Sequence, residues 1–211
     1  MLAVAREATL PRARELAERI ASLEENLVEM DQLLCRTEHQ AAQLTNLYVA
    51  TYQLHASLHP EDVCAAITDI AVNLLGAETF SLLVSGEDMR LTLAPKSAQT
   101  VRAYCDETGR YLAGDPLVDQ SVASHRIGFG PMPGSHAVAA VPFAAQGQLL
   151  GLLVIDGFLR HKHGLTKEDR ELLDLMAAHA ASALLAARFF HVAQRKLQTY
   201  EGLLGLLRRG A

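Results

Sequence analysis

The 211-residue chain is 50% hydrophobic and 20% charged, enough apolar material for one domain with extra helix, or at most two small domains, and it excludes disorder throughout. Its formal net charge of -5 comes with no Lys/Arg cluster interleaved with aromatics, which excludes an electrostatic footprint for nucleic acid. Cys35, Cys64 and Cys105 are odd in number, widely spaced and free of any CxxC pair, which argues against a disulfide framework or structural zinc site and fits a reducing compartment.

The opening MLAVAREATLPRARELAERI interrupts its apolar residues with charge too early for a secretory signal. No uncharged run reaches the roughly 20 residues of a membrane span. A cytoplasmic, soluble protein with no membrane partner is expected. From Leu16 onward, Leu16, Ile20, Leu23, Leu27, Met30, Leu34, Thr37, Ala41, Leu44 and Tyr48 recur at alternating steps of four and three. That narrow stripe is a coiled-coil seam, which one helix cannot bury alone. It predicts an N-terminal helix over 1–44 that joins a second copy in a parallel homodimer.

In LHPED, Pro60 disfavours helix at His59 and suits a first helical turn, while Glu61 and Asp62 complement the new helix's dipole. A second helix is predicted from there to about Leu75, stopped by Gly76. TFSLLVS and RLTLA flank Gly86-Glu87-Asp88 and read as a β-hairpin. Residues 95–135 are punctuated by Gly and Pro into loops and short helices. Within them AQTVRAYCDETG reads as helix or partly strand, and DPLVDQSVASH as a short helix started by Asp115 with Pro116 at its first position.

AVAAVPFAAQGQLLGLLVIDG, residues 137–157, reads as strand, turn at Gln146-Gly147, and strand. Leu150, Leu152 and Val154 would point one way and Leu149, Leu153 and Ile155 the other, so both faces of this hairpin need apolar cover. After FLRHKHG, where His161 and His163 alternate with Arg160 and Lys162 and suggest a solvated turn, Thr166 is the expected N-cap and Asp169 the acidic third position of a long helix. Its residues Leu172, Met176, His179, Ala183, Ala186, Phe190, Ala193, Leu197, Tyr200, Leu204 and Leu207 again step by four and three. A sheet-bearing domain over 45–190 is thus expected between the N-terminal seam and a helical extension over 191–211. Leu16, Ile20, Leu23, Leu27, Met30, Leu34, Leu44, Phe190, Leu197 and Leu204 are the expected dimer contacts.

The helix CAAITDIAVNLL, the strand GAETFSLLV, GDPLVDQSVAS, the VPF strand followed by G-x-L-x-G-x-L, and the helix LTKEDRELLDLMAAHAASALLAA together resemble the GAF domain family, with the related PAS fold as the alternative. The resemblance covers roughly residues 45 to 190. It implies an α+β fold: a GAF-like antiparallel sheet with terminal helices on one face, a pocket lidded by loop and helix on the other, and long N- and C-terminal helices. Sensory modules of this kind dimerise through such helices and signal to a neighbour, so a small-molecule ligand and a separate signalling protein are the implied partners.

By analogy with family positions, the pocket wall is expected at Phe80, Leu82, Tyr104, Cys105, Asp115, Val118, His125, Phe129, His136 and Asp156. Haem or non-haem iron would draw on Cys105, Asp115, Asp119, His125 and His136, whose spacing matches no ligand signature, so no metal site is expected and no cofactor is specified. The cysteine that bilin-binding members place beside a histidine is Ser124 here, before His125, and the Asn-Lys-x-Asp run of cyclic-nucleotide-binding members is missing. The family's free methionine sulfoxide reductases need a nucleophilic and a resolving cysteine together, and Cys105 stands alone in its segment. Without a Ser/His/Asp set, a phosphate loop or HExxH, a non-catalytic regulatory role is expected, and a ligand-free interaction scaffold is the alternative.

Overall fold

The computed structural model describes residues 2–86, 88–94, 104–160, 162 and 164–209, the side chains of 2–17, 39, 43 and 202–209 excepted. The chain divides into two compact units, Met1–Thr45 and Asn46–Ala211. Helix α1, Leu2–His55, supplies all of the first unit. With neither Gly nor an interior breaker past Pro11 it runs unbroken, and Ile20, Leu23, Leu27, Met30, Leu34 and Leu44 are each more than half exposed in the single chain. The side chains of Leu16 and Leu204, also expected in the seams, lie outside the described residues.

The second unit begins with the last turns of α1, which bury Ala50 and Leu54. Its other elements are α2 (Pro60–Asp69, continued by a π-helical turn to Leu74), β1 (Ala77–Ser85), β2 (Leu91–Leu93), α3 (Pro116–Ser124), β3 (Gly128–Phe129), β4 (Ala139–Ala145), β5 (Gln148–Phe158) and α4 (Lys167–Arg209). The predicted boundaries appear where local chemistry dictates them. His59 is extended ahead of Pro60 at the start of α2. Thr166 and Asp169 cap α4 reciprocally, Asp169 N donating to Thr166 Oγ1 at 3.2 Å and Thr166 N to Asp169 Oδ2 at 2.8 Å. Gln146 and Gly147 both take positive φ, 53° and 76°, the tight hairpin turn that matches strand twist.

The five strands form one antiparallel sheet in the order β2-β1-β5-β4-β3, with the β4–β5 hairpin inside it. On one face, α2, the end of α1 and α4 cover Phe80, Leu82, Val141, Phe143, Leu153 and Ile155. On the other, α3 and the 104–112 segment cover Leu83, Ala140, Leu152 and Val154. Leu152, Leu153, Val154 and Ile155 are each fully buried, so consecutive residues of β5 each contribute about 1.5–3 kcal/mol of burial. This sandwiching is why that strand shows no alternation.

One detail of the pleat differs from expectation. Phe143 pairs with Gly151 but Ala144 with Leu149, so Leu150 is an extra, bulged residue. The bulge reverses the parity behind it: Leu150 packs on the helix face with Leu153 and Ile155, and Leu149 on the opposite face with Leu152 and Val154. Next to it Gly151 permits close packing, since a Cβ there would lie 3.0 Å from Leu83 O and 3.2 Å from Leu184 Cδ1 of α4.

Candidate functional site

The face opposite the long helices carries the polar groups. Asp115 ends an extended segment (φ -102°, ψ 121°) immediately before Pro116, and its Oδ1 accepts from Leu117 N at 3.0 Å and Val118 N at 3.2 Å, capping α3. The same carboxylate accepts from Ser135 Oγ at 2.6 Å and His136 N at 3.1 Å, tying the start of α3 to the loop before β4. Burial alone would raise its pKa, but these four donors together hold it below the ordinary carboxylate value. Asp115 therefore stays ionised and fixed.

Asp156, near the end of β5, is held differently. Tyr104 O–H donates to its Oδ1. Its Oδ2 is buried and has no hydrogen-bond partner among the described residues. Burial raises the Asp156 pKa, the Tyr104 hydrogen bond opposes that, the Asp115 charge adds to it and His136 offsets part. Burial and the bond to Asp156 likewise push the Tyr104 phenol above its usual value, so it remains a neutral donor. A second pair, Tyr111 O–H to Asp119 Oδ1, fastens the covering segment to α3, where Gly114 N also donates to Asp119 Oδ2 at 3.0 Å. Bridges Cys105 to Tyr111 and Thr92 to Arg110 fold that segment back onto the sheet edge.

The structure thus brings Tyr104, Cys105, Asp115, Val118, His136 and Asp156 to one face. Val118 and Tyr104 pack directly on Leu83, Leu152 and Val154, and Cys105 rests against the same cluster. Phe80, Leu82 and Phe129 lie on the helix face instead, Phe129 beneath the Arg170 guanidinium at 4.7 Å. In β1 the apolar residue on this face is Leu83, one position beyond Leu82. His125 is exposed at the left-handed C-cap of α3 (φ 55°). Of AQTVRAYCDETG (98–109), read as helix or partly strand, residues 104–109 form turns with one isolated bridge at Cys105, while 98–103, like His161 and His163, lie outside the described residues.

Sequence reasoning did not single out Tyr111 or Ser135 as members of the site, and it weighed Asp119 only as an iron ligand. The signal for the first was the spacing of Tyr111 from Asp119 across a capped helix start, and for Ser135 its place beside His136. Among the described residues no three His, Cys, Asp or Glu side chains form a cluster that could hold a metal ion. What the arrangement offers is a neutral phenol, an ionised carboxylate and an unfilled acceptor over an apolar floor, the elements of a recognition surface.

Part of α4, Lys167–Glu201, is long and apolar enough by length and composition to cross a membrane. Its apolar residues Leu173, Met176, Ala180 and Ala187 are fully buried against the sheet, which accounts for that composition within the fold.

Among solved structures, the fold is similar to the GAF domain of a phosphoenolpyruvate-protein phosphotransferase from Acinetobacter, at TM-score 0.54 and 13% identity over 71% of this chain and 97% of that one. It is similar to free methionine-R-sulfoxide reductase from Neisseria meningitidis in complex with its substrate, at TM-score 0.53 and 15% identity over 70% and 91%. It is also similar to the GAF domain of the potassium sensor histidine kinase KdpD from Escherichia coli, at TM-score 0.50 and 19% identity over 72% and 99%. No curated protein matches the sequence. The GAF domain family model matches residues 59–184, more than half of the chain. The chain belongs to the GAF domain family, whose members are mostly regulatory sensors.

Proposed function

We propose that this protein is a non-catalytic signalling homodimer of the cytoplasm, which binds a small molecule on the face covered by α3 and relays its occupancy through α1 and α4 to a separate partner protein. The observation that carries the reading is Asp156 Oδ2, a buried acceptor with no donor among the described residues. A buried unsatisfied group costs about 1–3 kcal/mol, and a ligand N–H or O–H placed there recovers that cost. The ligand class is therefore a small polar donor, recognised by Asp156 beside Tyr104 and Asp115.

Occupancy has a short route to the helices. Asp156 follows Ile155 on β5, and Ile155 packs on the opposite face in the cluster that contains Leu173 and Met176 of α4. A ligand that favours one setting of β5 over another biases α4 by its differential affinity for the two. The exposed seam residues of α1, spaced for a second helix, support the dimer. A non-catalytic role is supported by the thiols, since Cys64 is buried on the helix face while Cys105 packs on the other, apart from the pairing a sulfoxide reductase uses. The KdpD domain, from a sensor kinase, shares the fold and agrees with a sensory role.

The complete burial of Leu83, Val118, Leu152 and Val154 favours a second reading, a scaffold whose cavity is filled by its own side chains. Thermal shift with a panel of amines, amides, nucleosides and sugars separates the two. A ligand at about 100 times its Kd adds about 2.7 kcal/mol of stability, seen as a raised Tm in the native chain and lost in Asp156→Asn. A panel that moves neither protein points to the scaffold and removes the sensor.

A further inference from the structure

The other face of the sheet holds a cavity of about 480 Å³ between α2, the β1 and β5 ends and α4. We propose that it is a second binding site, for an amphiphilic carboxylate such as a medium-chain acyl acid. Its floor is apolar: Cys64, Val84, Leu150 and Leu184 line it, and Cys64, Leu150 and Leu184 are themselves buried. Its α4 side carries the guanidinium groups of Arg188 and Arg195, with His191 between them along the helix. An apolar chamber in this size range with convergent polar groups at one side is the usual form of a small-molecule site.

Charge orients the occupant. Arg188 Nη1 donates only to Met89 Sδ, at 3.0 Å, and forms no ion pair with a carboxylate among the described residues. A sulfur acceptor leaves a guanidinium largely unneutralised, available to a carboxylate in the paired geometry it favours. On the α2 side, Glu61 bears electrostatically on Cys64, which disfavours an anion there and directs the head group toward α4. Burial pushes the Cys64 thiol up to about 11, so at neutral pH it is an uncharged part of the floor, suited to an alkyl tail.

The site is independent of the one proposed above, because the sheet separates them: Leu150 packs on the helix face and Tyr104 on the other. It also stays clear of a helical partner. Leu184, Arg188, His191 and Arg195 follow one stripe of α4, two positions away from Phe190 and Leu197 of the expected seam, about 200° around a helix of 3.6 residues per turn.

Isothermal titration of the full chain with decanoate below its micelle concentration, and with decanol and acetate, tests this. Decanoate is expected to bind at least about tenfold more tightly than either, since head and tail are both engaged. Arg188→Gln should weaken decanoate about tenfold and leave decanol unchanged. Val192→Trp, at a lining position 37% exposed in the native chain, should block both while the protein still melts cooperatively. Asp156→Asn should bind decanoate as the native chain does. Absence of decanoate binding, equal binding of decanoate and decanol, or an unaffected Arg188→Gln overturns the proposal. Loss of decanoate in Asp156→Asn overturns it too, by placing the ligand on the other face. Dissociation of a dimer by Arg188→Gln without decanoate binding overturns it by making the cavity a chain–chain interface.

Discussion

Replacing Asp156 by Asn should make the empty protein more stable at neutral pH. The substitution keeps the size of the side chain and leaves a carbonyl to accept from Tyr104 O–H, which now meets Oδ1. It removes Oδ2, a carboxyl oxygen that is buried and unpartnered among the described residues, whose cost is about 1–3 kcal/mol. The new amide nitrogen is itself unpaired but neutral and faces the field of Asp115, so about 1 kcal/mol of net gain is expected, a rise in Tm of about 2–4 °C for a chain of this size. The sign in pH follows from the raised pKa of Asp156. A carboxyl raised in the folded state contributes most below its unfolded value of about 3.9, and that contribution is lost as pH rises through the folded value. The native chain therefore loses ground to the variant on going from pH 4 to pH 8. Thermal melts of both proteins across that range measure the gap. A variant less stable than the native chain at pH 8, or a gap that does not change with pH, would refute the reasoning.

Asp115→Ala should destabilise by about 2–4 kcal/mol, since it removes the α3 cap together with the bonds from Ser135 and His136; denaturant titration gives the difference. Because the pKa of Asp115 is lowered, its contribution is present above the unfolded value and lost as pH falls through the folded one, so the penalty of Asp115→Ala should shrink at low pH, opposite in sense to Asp156. Cys35 is exposed on α1 beside seam residue Leu34. With Leu34 at the a position of its heptad, Cys35 takes the outward b position, where two copies in a parallel dimer lie too far apart to bond, so mild oxidation of Cys105→Ser protein should leave the dimer without a disulfide on a non-reducing gel, and a linked dimer would contradict the register.

Helix starts were the most legible features, because a cap is a local event: His59-Pro60, Asp115-Pro116 and Thr166 with Asp169 each carry their chemistry within four residues. The central hairpin was legible from the unbroken apolar run of β5 and from Gln146-Gly147. Which residues face the site was less so. Side-chain direction in a strand turns on register, and one bulged residue, Leu150, exchanges the sides of its neighbours without any mark in composition. Phe80 and Leu82 were expected on the pocket wall by family position, whereas β1 presents Leu83 there. Tyr104 and Asp156 were both expected in the wall, yet their pairing was not, because they are 52 residues apart and meet only through tertiary structure. The helix-face cavity was invisible for the same reason, being assembled from the ends of separate elements.

The signalling account depends most on two chains joined along their helices. Light scattering of the native protein beside the double variant Leu27→Asp, Leu34→Asp tests that directly, since each substitution places a charge in the apolar stripe of α1. The account predicts twice the 22.9 kDa chain mass for the native protein and the single mass for the variant. A native protein at 22.9 kDa, or a dimer that survives both substitutions, contradicts it.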